Sequence, residues 1–227
     1  MSLAERLADA QQRIAAAASA AAREAESIKL IVVTKNHPTQ LVFDLLDLGC
    51  RDFGENRDQE AGPKAAEVRA ASNIEHRWHF IGQLQSNKVK SVVTYADSIH
   101  SLDRQSLLDS LGKATAERET PLDVFIQLNL TDDQGRGGIQ PANLLPFAEN
   151  VLLHPGLNMV GVMGVAALDN ELDRDFGAIR AASEKLRTLK PEARLISAGM
   201  SEDFETAIAY GATHLRIGSA ITGKRQY

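Results

Sequence analysis

The sequence predicts an α/β fold, a single (β/α)8 TIM barrel preceded by an N-terminal helix. Three observations carry this expectation. Eight short apolar runs alternate with amphipathic stretches, the pattern of βα units building a parallel sheet. The length of 227 residues is close to the roughly 250 typical of such a barrel. The competing open, doubly wound sheet wants a glycine-rich turn after its first strand. Here "TKNHPT" has no glycine, and no G-x-G-x-x-G or Walker A pattern occurs anywhere. With 44% hydrophobic residues, one core suffices, so residues 1–227 are expected to form one domain, 1–27 as the N-terminal helix and 28–227 as the barrel.

The elements follow in order. The opening "MSLAERLADAQQRIAAAASAAAREAES" is alanine-rich, but Glu5, Arg6, Asp9, Arg13, Arg23 and Glu24 interrupt it too often for a signal peptide or a membrane span. Ser2 and Glu5 have capping-box spacing, and Leu3, Leu7 and Ile14 fall near one helical face. "LIVVT" (30–34) reads as a fully buried strand that His37-Pro38 stops. Further strands are expected at 52–55, 79–82, 97–101, 123–130, 158–165, 194–198 and 213–218. Helical stretches are expected at 38–49, 104–118, 141–154, 176–190 and 202–211, several ending in Gly or followed by Pro.

Composition narrows the function. A net charge of -5, with no cluster of Lys/Arg interleaved with aromatics, argues against nucleic acid as a partner. Cys50 is the only cysteine, so no internal disulfide can form, and the cytoplasm is the expected location.

A barrel places its chemistry on the ring of strand C-termini. That ring would hold Lys35, Asn56, Gln83, Ser86-Asn87-Lys88, Ser101, Asn129, Arg136, Met163, "SAGMS" (197–201) and "RIGS" (216–219). Lys35 either caps its strand in solvent or faces a site. Two small-residue turns follow the last two strands, where barrels often bind a phosphate. In the first, Ser201 is placed to cap the helix that follows and free its N–H groups; Gly218 and Ser219 repeat the arrangement. Alternatively, Gly199 and Gly218 only permit tight turns. Parity puts His214, Arg216 and Gly218 on one strand face and Ile31, Val33 and Lys35 on another. Closure makes the first and eighth strands neighbours, so lysine, arginine and anion cradle would meet. That combination suits a phosphorylated aldehyde held as a lysine imine.

Other constellations are weaker. His76 and His79, three apart on a strand, point to opposite faces, so no shared metal is expected, and no HExxH or cysteine cluster is present. Asp132-Asp133 beside Arg136 and Gly137-Gly138 reads as a solvated loop. Lys88 and Lys90 either offer a second surface cofactor site or are solubilising charges.

Together, "VVTKNHP", "DFGENRDQE", "WHFIGQLQSNK" and "SAGMSEDFETAIAYGATHLRIGSAITGKR" resemble the pyridoxal phosphate homeostasis protein (YggS-like) family, whose fold is that of the alanine racemase barrel domain. The resemblance spans nearly the whole chain. It implies that Lys35 forms the imine with pyridoxal 5'-phosphate (PLP), that Ser201, Gly218 and Ser219 hold the phosphate, that Arg216 faces the pyridine nitrogen, and that Asn56 and Met200 line the cofactor. Thr34, Asn36-His37, Gln83, Ala198 and Thr222 depart from the commonest family wording without removing a contact. Arg136 stands where the family often has lysine. An arginine at the ring nitrogen makes the ring a weaker electron sink, and Tyr95, Tyr210 and Tyr227 lie outside the expected ring. The resemblance therefore implies a monomeric cytoplasmic PLP carrier, with PLP-dependent apo-enzymes as partners and no catalytic residue of its own. The alternatives are a PLP-dependent amino-acid racemase and a cofactor-independent lysine-imine aldolase.

Overall fold

The computed structural model describes residues 1–131, 133, 135–167 and 171–223; Asp132 and Tyr227 lie outside them. Eight parallel strands close into a barrel in sequence order. They are β1 (Lys29–Val33), β2 (Asp52–Glu55), β3 (Arg77–Phe80), β4 (Ser98–Leu102), β5 (Leu122–Gln127), β6 (Leu157–Met163), β7 (Leu195–Ser197) and β8 (His214–Ile217). Helices α1 (Leu3–Ala20), α2 (Thr39–Asp47), α3 (Asp58–Ala71), α4 (Val89–Val92), α5 (Gln105–Thr115), α6 (Leu144–Leu152), α7 (Leu172–Leu189), α8 (Phe204–Ala209) and α9 (Ser219–Thr222) complete it.

The expected strands are all present, β2 at its expected bounds and the others with ends displaced by up to three residues. The β5 run expected at 123–130 stops at Gln127, and the β3 run expected at 79–82 occupies Arg77–Phe80. Ile81 and Gly82 thereby fall into the loop above the barrel. Helix α3 is absent from the sequence reading because Gly62 and Pro63 dilute its helical signal. Its buried face of Ala61, Lys64, Ala65 and Val68 docks it on the barrel regardless.

Closure rests on the β1–β8 seam, where Ile31 is level with Arg216 and Val32 with Ile217. Alternation then sends Ile31, Val33 and Arg216 inward, while Val32, Leu215 and Ile217 join the layer between strands and helices. Such interiors are mostly filled by branched apolar residues. This one has an apolar sector of Phe125, Val160 and Met163, and beside it a polar one of His79, His100, Ser197 and Arg216.

Helix α1 carries the expected capping box: the Glu5 N–H donates to Ser2 Oγ (3.2 Å) and the Ser2 N–H to Glu5 Oε2 (2.6 Å). Its buried stripe of Leu7, Ala10, Ile14 and Ala18 lies across α8 and α9. Arg13 Nη2 reaches Glu205 Oε1 at 2.5 Å, and Arg6 Nε donates to the Ile221 carbonyl at 2.6 Å. The first helix thus braces the two turns that follow β7 and β8.

Candidate functional site

A cavity of about 960 Å³ opens at the C-terminal mouth of the barrel, and Lys35, Asn56, Met163, Met200, Ser201, Arg216, Gly218 and Ser219 all line it. Every cofactor residue expected from sequence is in this one place. Gln83, Lys88, Ser101, Asn129 and Arg136 are not. Gln83 Nε2 donates to Gln127 Oε1, and Asn129 ties its own loop by donating to the Asp133 and Arg136 carbonyls. Arg136 donates to the Val165 and Ala166 carbonyls, so it anchors the chain beyond β6. Lys88 lines a separate groove between α3 and α4 with Asp58, Arg69 and Tyr95.

Lys35 sits just beyond β1, half-buried, and its amine makes no hydrogen bond or ion pair among the described residues. The turn after it is pinned from outside the barrel. Asn36 adopts a left-handed φ of 61°, which asparagine tolerates better than most residues, and its N–H donates to Glu60 Oε2 at 2.9 Å. Beneath, Lys64 donates to the Thr34 carbonyl (3.0 Å) and to Glu55 Oε1 (2.5 Å), which also accepts from the Thr34 hydroxyl (2.7 Å). Burial pushes the Glu55 carboxyl up, and the Lys64 ammonium offsets only part of that rise.

Arg216 is buried at the cavity base, donating from Nη1 to Ser197 Oγ (2.6 Å) and from Nη2 to the Gly164 carbonyl (3.0 Å). Two of its five N–H groups are thereby used, and the rest have no partner among the described residues. Burial lowers its guanidinium to about 10, with Asp203 opposing the drop, so it stays charged at neutral pH. Asn56 Oδ1 is buried with no hydrogen-bond partner among the described residues. Both atoms have bonding capacity that a polar ligand in the cavity would satisfy.

The structure corrects the expected role of Ser201. It does not cap the helix that follows it, because α8 starts only at Phe204, after a turn in which the Asp203 carboxylate accepts from the Met200 N–H. Ser201 Oγ instead accepts from the Ser219 hydroxyl (3.2 Å) and the Ala220 N–H (3.3 Å), joining the two turns into one cradle. The donors left over are single groups: the N–H groups of Ser201, Glu202 and Ser219 have no acceptor among the described residues. Gly199 is required by conformation, with φ at +93° and a would-be Cβ only 2.9 Å from Ala207 Cβ. Gly218 sits in tight space, since a Cβ there would meet Val33 Cβ at 3.3 Å and Val33 would have to give by a few tenths of an ångström. Gly199→Ala is therefore expected to cost about 1–2 kcal/mol in urea unfolding, whereas an unchanged midpoint would show that the turn relaxes freely.

His37, Glu202 and Asp203 also line the cavity; their signal in sequence was nearness to Lys35 for the first and to the turn after β7 for the other two. Among the described residues, neither Tyr95 nor Tyr210 lines it, and no group of three metal-ligating side chains occurs. His79, set aside as a metal ligand, meets His100 and Asp52 inside the barrel.

Residues 7–226 match the family model for the alanine racemase N-terminal domain. The chain is 38% identical over 228 residues to the pyridoxal phosphate homeostasis protein of Escherichia coli K12, covering 99% of this chain and 97% of that one. It is 36% identical over 232 residues to the protein of the same name from Pasteurella multocida, covering 100% and 99%. Among solved structures, PipY of Synechococcus elongatus PCC7942 with PLP bound superposes with a TM-score of 0.82 at 32% identity, over 97% of this chain and 99% of that one. An alanine racemase from Clostridium difficile has a TM-score of 0.73 at 15% identity, a likeness of fold alone, and 57% of its length is matched. The chain belongs to the pyridoxal phosphate homeostasis protein family, built on the alanine racemase N-terminal domain fold.

Proposed function

We propose that this protein holds PLP through Lys35 and serves intracellular vitamin B6 and amino-acid balance as a carrier without turnover of its own. The observation that carries the reading is the meeting, in one open cavity, of an unpaired lysine amine, a buried arginine with unused donors and a cradle of unbonded N–H groups. The relative PipY, whose structure contains PLP, supports it. When bound, the cofactor supplies an aldehyde that condenses with a primary amine and releases water.

The protein's own groups then have distinct tasks. Lys35 is the covalent anchor. Ser201, Gly218 and Ser219 receive the phosphate at the joined turns. Arg216, charged at neutral pH, donates a hydrogen bond to the ring nitrogen without surrendering its proton, which limits electron withdrawal by the ring. Asn56 and Met200 flank the ring. The lining offers Lys35, His37, Glu202 and Asp203 as proton-handling groups, with no tyrosine among the described residues. We place the protein in the cytoplasm as a monomer supplying PLP-dependent apo-enzymes; no helix among the described residues is long and apolar enough to cross a membrane.

The test is the visible spectrum of the protein with added PLP, before and after borohydride, in wild type and Lys35→Ala, with alanine racemisation followed on the same samples. A borohydride-fixable band lost in Lys35→Ala, without turnover, is the expected result. Robust turnover would overturn the carrier role, and the absence of any band would overturn the cofactor assignment.

A further inference from the structure

One row of polar side chains inside the barrel leads away from the cofactor contacts above, and beyond its first member none of it takes part in them. It begins at Arg216, whose Nη1 donates to Ser197 Oγ at 2.6 Å. Ser197 Oγ is 2.8 Å from His100 Nδ1, and His100 Nε2 is 3.0 Å from His79 Nδ1. His79 Nε2 is 2.9 Å from Asp52 Oδ1, and Lys29 Nζ closes the row on the same carboxylate at 3.0 and 3.2 Å. The row draws on β8, β7, β4, β3, β2 and β1 and runs from the cavity base to the N-terminal end of the barrel.

Donor and acceptor roles along it are not independent. Arginine can only donate, so Ser197 Oγ accepts from it and must send its own hydrogen elsewhere. Asp52 sits against an ammonium and an imidazole. Burial pushes its carboxyl up, but the hydrogen bonds from His79 and Lys29, with the Lys29 ammonium, outweigh that and hold it below the usual range. It is therefore a carboxylate that only accepts, and His79 gives it the Nε2 hydrogen. A neutral His79 then has a bare Nδ1, which accepts from His100 Nε2–H. That leaves His100 Nδ1 bare, and the Ser197 hydroxyl donates to it. With both rings neutral, one assignment satisfies every contact, and every donor between Arg216 and Asp52 then points toward Asp52; a proton added to His79 would reverse the His79–His100 and His100–Ser197 bonds and give His100 as the Nδ1–H form. Complete burial holds the His100 imidazole well below its ordinary value, reinforced by the neighbouring His79, Arg216 and His214, in keeping with a neutral ring.

We propose that Ser197, His100, His79 and Asp52 are positioning residues: a one-way hydrogen-bond chain that fixes the Arg216 guanidinium and carries what it meets in the cavity to the far end of the barrel. The second half of this statement rests on the PLP reading, and the first does not. An ordinary barrel interior would fill these positions with apolar side chains. A polar row is retained at low cost only if each member is satisfied, and with neutral rings a single direction satisfies all of them.

The test uses long-range proton–nitrogen NMR of the histidine rings. In the cofactor-free protein, His79 and His100 are both expected as the Nε2–H form, and an Nδ1–H form of either would overturn the chain. On adding PLP, the His100 and His79 ring nitrogens are expected to shift in wild type. In Ser197→Ala the His79 shift should vanish while the Lys35-dependent band still forms with affinity about three- to tenfold weaker, one hydrogen bond's worth. Ser197→Thr, which keeps the hydroxyl, should restore both. Persistence of the His79 shift in Ser197→Ala would overturn the transmission. Failure of the band in wild type would sink the PLP reading alone and leave the cofactor-free ring forms to decide the chain.

Discussion

Replacing Lys64 with methionine is expected to destabilise the protein by about 3–5 kcal/mol near neutral pH, the usual cost of stripping one partner from a buried ion pair. Lys64 and Glu55 are 5% and 1% exposed, so water cannot take over for the lost ammonium. The Thr34 carbonyl loses its donor in the same step. Glu55 can escape only by taking up a proton. Its carboxyl would then be raised further than in the native protein, so the native state would bind a proton that the unfolded chain does not. The deficit should accordingly shrink as pH falls toward the ordinary carboxylate range and be largest above neutrality. Glu55→Gln added to Lys64→Met removes the stranded charge and is expected to recover part of the loss. Urea unfolding of the single and double variants at two pH values checks this; a single variant within about 1 kcal/mol of wild type would mean that the pair is hydrated. Because the ammonium also fixes the peptide preceding Lys35, PLP affinity should fall together with stability.

Acid is expected to act as strongly. Burial, reinforced by nearby His79, Lys29 and Arg216, lowers the His214 imidazole to about 3, and fully buried His100 is also held well below its ordinary value. Both rings are depressed in the fold, so below the unfolded value near 6.5 the unfolded chain binds protons that the native chain refuses. Stability is complete above that value and falls as pH drops through the window beneath it. Each ring contributes about 1.4 kcal/mol per pH unit there, which amounts to about 4 kcal/mol for the two between pH 8 and pH 5. Glu55, with its raised carboxyl, works in the opposite direction and softens the loss. Urea unfolding at pH 8 and pH 5 measures the difference, and His214→Gln should remove about half of it. Near-equal stability at the two pH values would be incompatible with two buried neutral rings.

The barrel and its mouth were legible in the sequence because they depend on local pattern. Uninterrupted apolar runs such as that ending at Val33 can only be strands buried on both faces, and period-two parity places Lys35 and Arg216 on facing sides once the sheet closes. The row from Arg216 to Asp52 was not legible. It depends on register across six strands, and His79 considered on local sequence offers only His76, which lies before β3. Lys64 escaped for a related reason: a lysine in a helix weakened by Gly62 and Pro63 reads as surface until the helix docks. Ser201 was placed correctly and given the wrong partner, because the helix it was expected to cap begins three residues later than its position, at Phe204.

The seam between β1 and β8 has a consequence for how the protein is made. Lys35 leaves the ribosome early, whereas Arg216, Gly218 and Ser219 belong to the last strand and the turn after it. Until that strand docks, the lysine is an ordinary solvated amine with no cradle beside it. Joining the two requires closing a loop over most of the chain, a late step for a fold built on distant pairings. On the proposed role of Lys35, aldehyde capture would be coupled to completion of folding, because the amine and its cradle meet only when the last strand docks.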